Sequence, residues 1–276
     1  PLVFTPKAPA LFSSGSGRLE LAHALFSESG PLVARVIVNR LWAAHFGTGI
    51  VPTLSDFGAQ GERPTHPALL ERLAAGLSEN GWSLKWLHRT ILLSATYRQA
   101  SGTAPAEDPE LRLYSRFPRK RLEVEQWRDA LLAVTGELEL SLGGPAVDLA
   151  KPDNHRRTLY GLVKRRELSD ILRLHDFPDP VTHSPSRVLT TTPLQQLFTL
   201  NSPLMQARAR ALSKRVAAAH SDVVDRVDRA YRLALGRPPS AGEQRIAQQF
   251  LGVADEQRWA EYLQVLLGGN EFLFLD

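Results

Sequence analysis

The 276-residue sequence contains no cysteine. That absence removes disulfide staples, thiolate zinc sites, iron–sulfur clusters, cysteine nucleophiles and covalent c-type haem attachment in one step. Long hydrophobic runs are missing too. Val36–Val38 and Ala130–Val134 are soon interrupted, well short of the roughly 18 to 20 apolar residues that span a bilayer, so no transmembrane segment is expected. Gly143 and Gly144 run into Pro145 rather than into Lys and Ser or Thr, which gives no support to nucleotide binding. Ser94, Thr96 and Tyr97 carry hydroxyls near Arg98, but no Gly-x-Ser-x-Gly elbow and no identifiable base accompany them. Alternating strand patterns are scarce, and nothing repeats at the period of about 20 to 50 residues that marks a solenoid.

What remains is an ordinary globular composition. With 43% hydrophobic and 22% charged residues the chain can bury a core, which excludes disorder as a whole. The formal charge is +4 and the pI about 9.6, a mild pull toward polyanions. Pro1–Phe12 holds neither a basic stretch followed by an apolar one nor a cleavage site, and the chain is expected to be a piece of a longer protein. At a prior of about 150 residues per domain there is room for one large domain or two small ones. We read 1–276 as a single helical domain.

The pattern is one of successive amphipathic helices. Ser29 and Gly30 precede a helix over Pro31–Phe46 with Val33, Ile37, Leu41 and Ala44 as its apolar stripe, ended by Gly47 and Gly49. A second begins at Pro67, buries Leu69, Leu70, Leu73 and Leu77, and stops at Asn80 and Gly81. Ser83 caps a third that turns Trp86, Leu87, Ile91 and Leu92 inward, and the short connection predicts an antiparallel hairpin. After a break at Ser101–Pro109, a helix over Leu122–Thr135 carries Trp127, Leu131 and Val134 and ends at Gly136. Thr158–Val163 is the best strand candidate. Helices start again at Thr192 with Pro193, at Ser202 with Pro203, and at the Ser240/Glu243 capping box, and a last one covers Trp259–Leu267. The fold class is mainly α, an irregular multi-helix bundle with long loops and at most one or two short strands.

Several strings together resemble a known family. They are GSGRLELA (15–22), RVIVNRLWAAHFG (35–47), DFGAQGERPTHP (56–67) and GWSLKWLHRTILLSATYRQ (81–99). Arg116–Ala130 with its Pro118–Glu123 run, Phe177–Pro180, TTTPLQQLFTLN (190–201), AYRLALGRP (230–238) and NEFLFLD (270–276) extend the likeness over nearly the whole chain. The sequence resembles the planctomycete-type domain of unknown function 1553. The resemblance implies the C-terminal part of a large exported, periplasmic or envelope protein, often behind a c-type cytochrome domain and a second uncharacterised domain. It implies no particular activity, and it places any c-type haem upstream, with no cofactor in this chain.

Four sets of residues carry chemical potential. His175, Asp176, Asp179 and His183 offer imidazole and carboxylate ligands suited to zinc, iron or manganese; the competing reading is that the aspartates serve local turns beside Phe177, Pro178 and Pro180. Arg35, Asn39 and Trp42, with His45 at the edge, share a helical face. Their competing role is structural, with a buried Arg and Asn tying the Leu54–Gly61 loop to the helix through carbonyls and Asp56. His66 and His88 are general-base candidates if a carboxylate orients them, against plainer duties in helix entry and packing. Two basic groups, Arg116, Arg119, Lys120 and Arg121, and Arg156, Arg157, Lys164, Arg165 and Arg166, could grip a sulfated glycan. Glu123, Glu125, Asp129, Glu167 and Asp170 lie near enough in sequence to neutralise much of that charge.

The function read from this is a non-catalytic helical interaction or assembly module of an exported, cytochrome c-associated protein. Its partners would be the upstream domains of the parent protein and envelope proteins, with glycan as an alternative and nucleic acid disfavoured. One competing reading is a metal-assisted hydrolase or electron-transfer-linked oxidoreductase acting on extracellular polysaccharide. Another is a sulfated-glycan or polyanion binding module.

Overall fold

A computed structural model describes residues 15–27, 30–149, 151–252 and 255–275. Ser29 and the Pro1–Phe12 opening lie outside the described residues. Twelve α-helices and one two-stranded antiparallel sheet among them make the chain mainly α. No single helix among the described residues is long and apolar enough to cross a membrane. The stretch read as one domain packs as two compact units that part between Lys120 and Arg121.

The first unit holds α1 (Arg18–Phe26), α2 (Gly30–Phe46), α3 (Pro67–Glu79) and α4 (Leu84–Leu92). Ser83 Oγ accepts from the Trp86 N–H at 3.3 Å, the expected cap of α4. Gly81 adopts the left-handed φ of 63° that closes the α3–α4 corner. Gly76 lets α3 and α4 meet, since a Cβ there would stand 2.3 Å from the Trp86 ring. On α2 the buried stripe is Ala34, Val38, Trp42 and Phe46, where Val33, Ile37, Leu41 and Ala44 are predicted, the first three each one residue off. The reason lies in aromatic packing. Trp42 stacks on Phe46 at 4.4 Å, and Tyr97, Tyr114 and Phe117 close around Phe46, so the two rings define the inner face.

The second unit holds β1 (Lys120–Arg121, at the boundary), α5 (Val124–Thr135), α6 (Asp170–Leu174), α7 (Pro193–Asn201), α8 (Pro203–Ala219), α9 (Val223–Leu235), α10 (Ala241–Leu251), α11 (Glu256–Gly268), α12 (Asn270–Leu273) and β2 (Phe274–Leu275), which pairs with β1. Its core is largely aliphatic, with Leu131, Leu149, Leu172, Met205, Leu212, Leu251 and Leu263 all essentially inaccessible. The predicted caps at Thr192, Ser202 and Ser240 all form. Thr158–Val163 is not a strand: Thr158–Tyr160 winds into a single 3₁₀ turn, and the segment's contact with a neighbour is one isolated bridge between Val147 and Gly161. Asp129 takes the Thr158 N–H and hydroxyl at 2.7 Å each, which fixes the turn in place of a ladder.

Candidate functional site

The polar centre of the second unit is built where α6 ends and α7 begins. Asp176 follows α6 in a left-handed conformation, φ 60°, rare for a residue with a Cβ. Its carboxylate accepts from the Thr190 N–H at 2.8 Å and the Thr190 hydroxyl at 2.7 Å. Gln195, 2% exposed on the inner side of α7, completes the joint. Its amide nitrogen donates to Leu174 C=O at 2.9 Å and to Asp176 at 3.2 Å. Its oxygen accepts from the Thr192 N–H and from Arg121, both at 3.1 Å. Arg121 also donates to Thr190 C=O, so this partly exposed side chain is an internal tie rather than part of a basic surface.

His175 lies beside this joint, nearly buried, stacked on Trp127 at 4.7 Å with Phe198 edge-on. Its Nδ1 is 2.9 Å from Ile171 C=O. A carbonyl only accepts, so Nδ1 carries the proton. Burial is the main reason its pKa falls below the ordinary histidine value, with Arg121 adding to it against the opposing Ile171 bond and Asp176. The enclosed space here is about 10 Å³, room for about one water and no substrate.

His175, Asp176, Asp179 and His183 are therefore not brought together as ligands. Asp179 accepts from the Val181 N–H at 2.9 Å in its own turn, and His183 is exposed in the following loop. No group of three or more His, Asp or Glu side chains positioned to hold a metal exists among the described residues. The local-turn reading accounts for Asp179, whereas Asp176 reaches fourteen residues along the chain to Thr190.

Two open clefts flank Phe177. One, of about 540 Å³, has an apolar floor of Leu149, Leu172 and Val163 under the polar face of α5. Arg187 lies over the Phe177 ring at 5.1 Å and pairs with both Glu125 oxygens at 2.6 and 2.7 Å. The other, of about 730 Å³, is lined by Lys164, Arg165, Arg166 and Arg173, and equally by Asp148, Glu167, Asp170 and Asp179. Lys164 pairs with Glu167 at 3.2 Å and Arg173 with Asp170 at 2.6 Å.

The remaining basic candidates are tied internally or dispersed. Arg156 stacks on Tyr160 at 4.3 Å and donates to Pro145 C=O at 3.0 Å. Arg157 pairs with Asp129 at 3.3 Å. In the first unit, Lys120 donates to Ala44 C=O, Arg119 has a partner of its own, and Arg116 lies against Gly102.

The α2 face divides by role. Asn39, fully buried, donates to Val51 C=O and accepts from the Val51 N–H, each at 2.8 Å. Trp42 joins the aromatic core, while Arg35 is no buried tie: it forms a two-point pair with Glu71 on α3 at 2.7 Å. Asp56 accepts from the Gly58 N–H inside its own turn. His45 Nε2 meets His88 Nδ1 at 2.8 Å; burial, then His88, then Lys120 lower the His45 pKa. His66 contacts Thr65. No carboxylate is found orienting His66 or His88 among the described residues.

The pattern of residues also misses two features. Arg128, 1% exposed, donates to Asn154 and Arg156 carbonyls at 2.6 and 2.9 Å, and Arg208, 3% exposed, to Pro152 C=O at 2.9 Å. Nothing local in sequence marks either arginine. The second feature is the sidedness of α7, which buries Gln195 and Thr199 and turns Leu194, Leu197 and Leu200 outward at 63%, 52% and 59% exposure. The Thr192-x-x-Gln195 spacing carried the signal for its cap but none for which face is outer.

A family model described as PSD1, protein of unknown function (DUF1553), matches residues 17–251. No curated protein and no solved structure matches the chain.

Proposed function

Since the chain belongs to the PSD1 (DUF1553) family, we propose that it works as a non-catalytic interaction and assembly module of an exported, cytochrome c-associated protein. The observation that carries this is α7, which buries Gln195 and Thr199 beside Phe198 and turns Leu194, Leu197 and Leu200 outward. A helix of a solitary fold does the reverse. Exposed apolar stripes of this kind mark protein contacts.

A photo-reactive residue at Leu197, irradiated in the native cell envelope, tests it. Protein adducts at position 197 and none at the equally apolar, 86% exposed Leu142 are expected. Equal labelling at both positions, or none at either, overturns the reading.

One observation favours a second reading, polyanion binding. Arg165 and Arg166 have no hydrogen-bond or ion-pair partner among the described residues and line the larger cleft. If the cleft grips a sulfated glycan, the R165A/R166A double variant elutes from a sulfated-polysaccharide column at markedly lower salt than the parent. Unchanged elution removes this reading.

A further inference from the structure

We propose that the outer face of α7 is a self-association surface on which a second copy of this chain seats about a two-fold axis passing near Leu197. This rests on the interaction reading above and names its partner.

The orientation of α7 is fixed from inside. Gln195 is held by Leu174, Asp176, Arg121 and Thr192. Thr199 faces Gly268 of α11, where a Cβ would stand 2.6 Å from the Thr199 methyl. Gln264 of α11 donates to Thr199 and Leu200 carbonyls at 3.0 and 2.6 Å. Rotating the helix to hide its leucines would break all of these, so Leu194, Leu197 and Leu200 stay outside.

The character of the patch selects the occupant. α7 has no charged residue. The groove beside it, lined by Gln206, Arg210, Gln257, Glu261 and Gln264, holds one cation and one anion. A lipid surface calls for a basic collar, and an acidic or basic partner for the opposite sign. A neutral, balanced patch complements itself. Three leucines spaced by three are self-complementary when the helices run antiparallel, with Leu197 on Leu197 and Leu194 on Leu200 of the second copy. Three partly exposed leucines make a patch smaller than the ~800 Å² per partner of a standard interface, so a weak, concentration-dependent dimer is expected.

Sedimentation of the purified full chain over a roughly hundredfold concentration range reads this directly. The parent should move from monomer toward dimer. Leu197→Arg and Leu197→Glu should each stay monomeric with unchanged circular dichroism, and an equimolar mixture of the two should recover the dimer, because the axis puts opposite charges face to face. A parent that is monomeric throughout, variants that dimerise like the parent, or a mixture that stays monomeric overturns the proposal. Should adducts at position 197 in the envelope join a different protein while the purified chain stays monomeric, the interaction reading stands and the second copy falls.

Discussion

In the first unit the buried polar side chains among the described residues are Asn39 and Asp108, and both serve backbone groups close by. Asn39 reaches twelve residues to Val51, and Asp108 collects Leu113 and Ser115. In the second unit Arg128 reaches 26 and 28 residues to Asn154 and Arg156, and Arg208 reaches 56 residues to Pro152. The difference follows from what each unit must fold. The first unit's long connections, 47–66 and 93–119, close on backbone partners of their own, as the Thr65 N–H does on Ile50 C=O and the Phe117 N–H on Ala100 C=O, and a pair of local side chains completes them. The stretch from 137 to 169 has no α-helix among its described residues, so its carbonyls need donors from elsewhere. A guanidinium, with five donors in a rigid fork, supplies several at once where Lys could not.

Removing the fork should therefore be the most damaging single change. Arg128→Ala leaves the Asn154 and Arg156 carbonyls and the Thr158 hydroxyl short of a buried donor, an expected loss of about 3 kcal/mol. Denaturant unfolding followed by tryptophan fluorescence should show the second unit, which holds Trp127, melting earlier. Arg128→Met, which restores bulk without donors, should recover little. If it recovers fully, the arginine is packing and the contrast between the units collapses. Asn39→Ala is the counterpart in the first unit, at about 2 kcal/mol. Asn39→Asp can still accept from the Val51 N–H but sets a buried carboxylate against its carbonyl, so at neutral pH it should cost at least as much as Ala. Hydrogen exchange at the Val51 amide tests the ordering directly.

The same contrast explains what the sequence allowed one to read. Helix starts were legible at Ser83, Thr192, Ser202 and Ser240 because a cap is a local bargain between a hydroxyl and an N–H three residues on. The inner face of α2 was read one residue off, since the deciding contacts come from Tyr97, Tyr114 and Phe117, far along the chain. α9 went unread although Asp222 caps it through the Val224 N–H at 2.8 Å, its aspartates and arginines masking the stripe of Val227, Ala230 and Tyr231. His175 and Asp176 looked like ligands because residue type shows donors but not their partners: Ile171 and Thr190 take them. On α7 the helix was legible and its sidedness was not, because Gln195 is drawn inward by Arg121 and by the 174–176 stretch, both distant in sequence.

A smaller effect tests the surface counterpart of these ties. Arg237 joins Glu243 on α10 and Glu271 on α12, at 2.8 and 2.5 Å, beneath the face of Tyr231. Arg237 and then the Ser240 N–H hold the Glu243 pKa down to about 2. A lowered carboxylate pKa contributes stability above the ordinary carboxylate range, and that contribution is lost as pH falls from about 4.5 toward about 2. The site is open to solvent and screened, so Arg237→Ala should cost about 1 kcal/mol at neutral pH. Its unfolding midpoint should also fall less than the parent's over that acid window. An identical acid slope would mean that Glu243 owes nothing to Arg237.

The least change comes from two histidines, His45, half-buried in the first unit, and His175, buried in the second. Both His45 and His175 have pKa values lowered chiefly by burial. Above the ordinary histidine value of 6.5 both are neutral whether folded or not, and they contribute nothing to pH dependence. Below it the unfolded chain takes the proton first, so stability declines until the folded rings protonate. In the first unit a second proton on the His45–His88 pair would set two donors against each other at 2.8 Å, with Lys120 nearby opposing it further. In the second, the imidazolium would sit against Trp127 with Arg121 adding repulsion and Asp176 relieving it. His45→Gln should flatten the stability loss between neutral pH and pH about 5 for the first unit alone, and His175→Phe, which keeps the stack, for the second alone. If either substitution flattens the loss reported by both units, they do not unfold as the separate bodies on which the comparison depends.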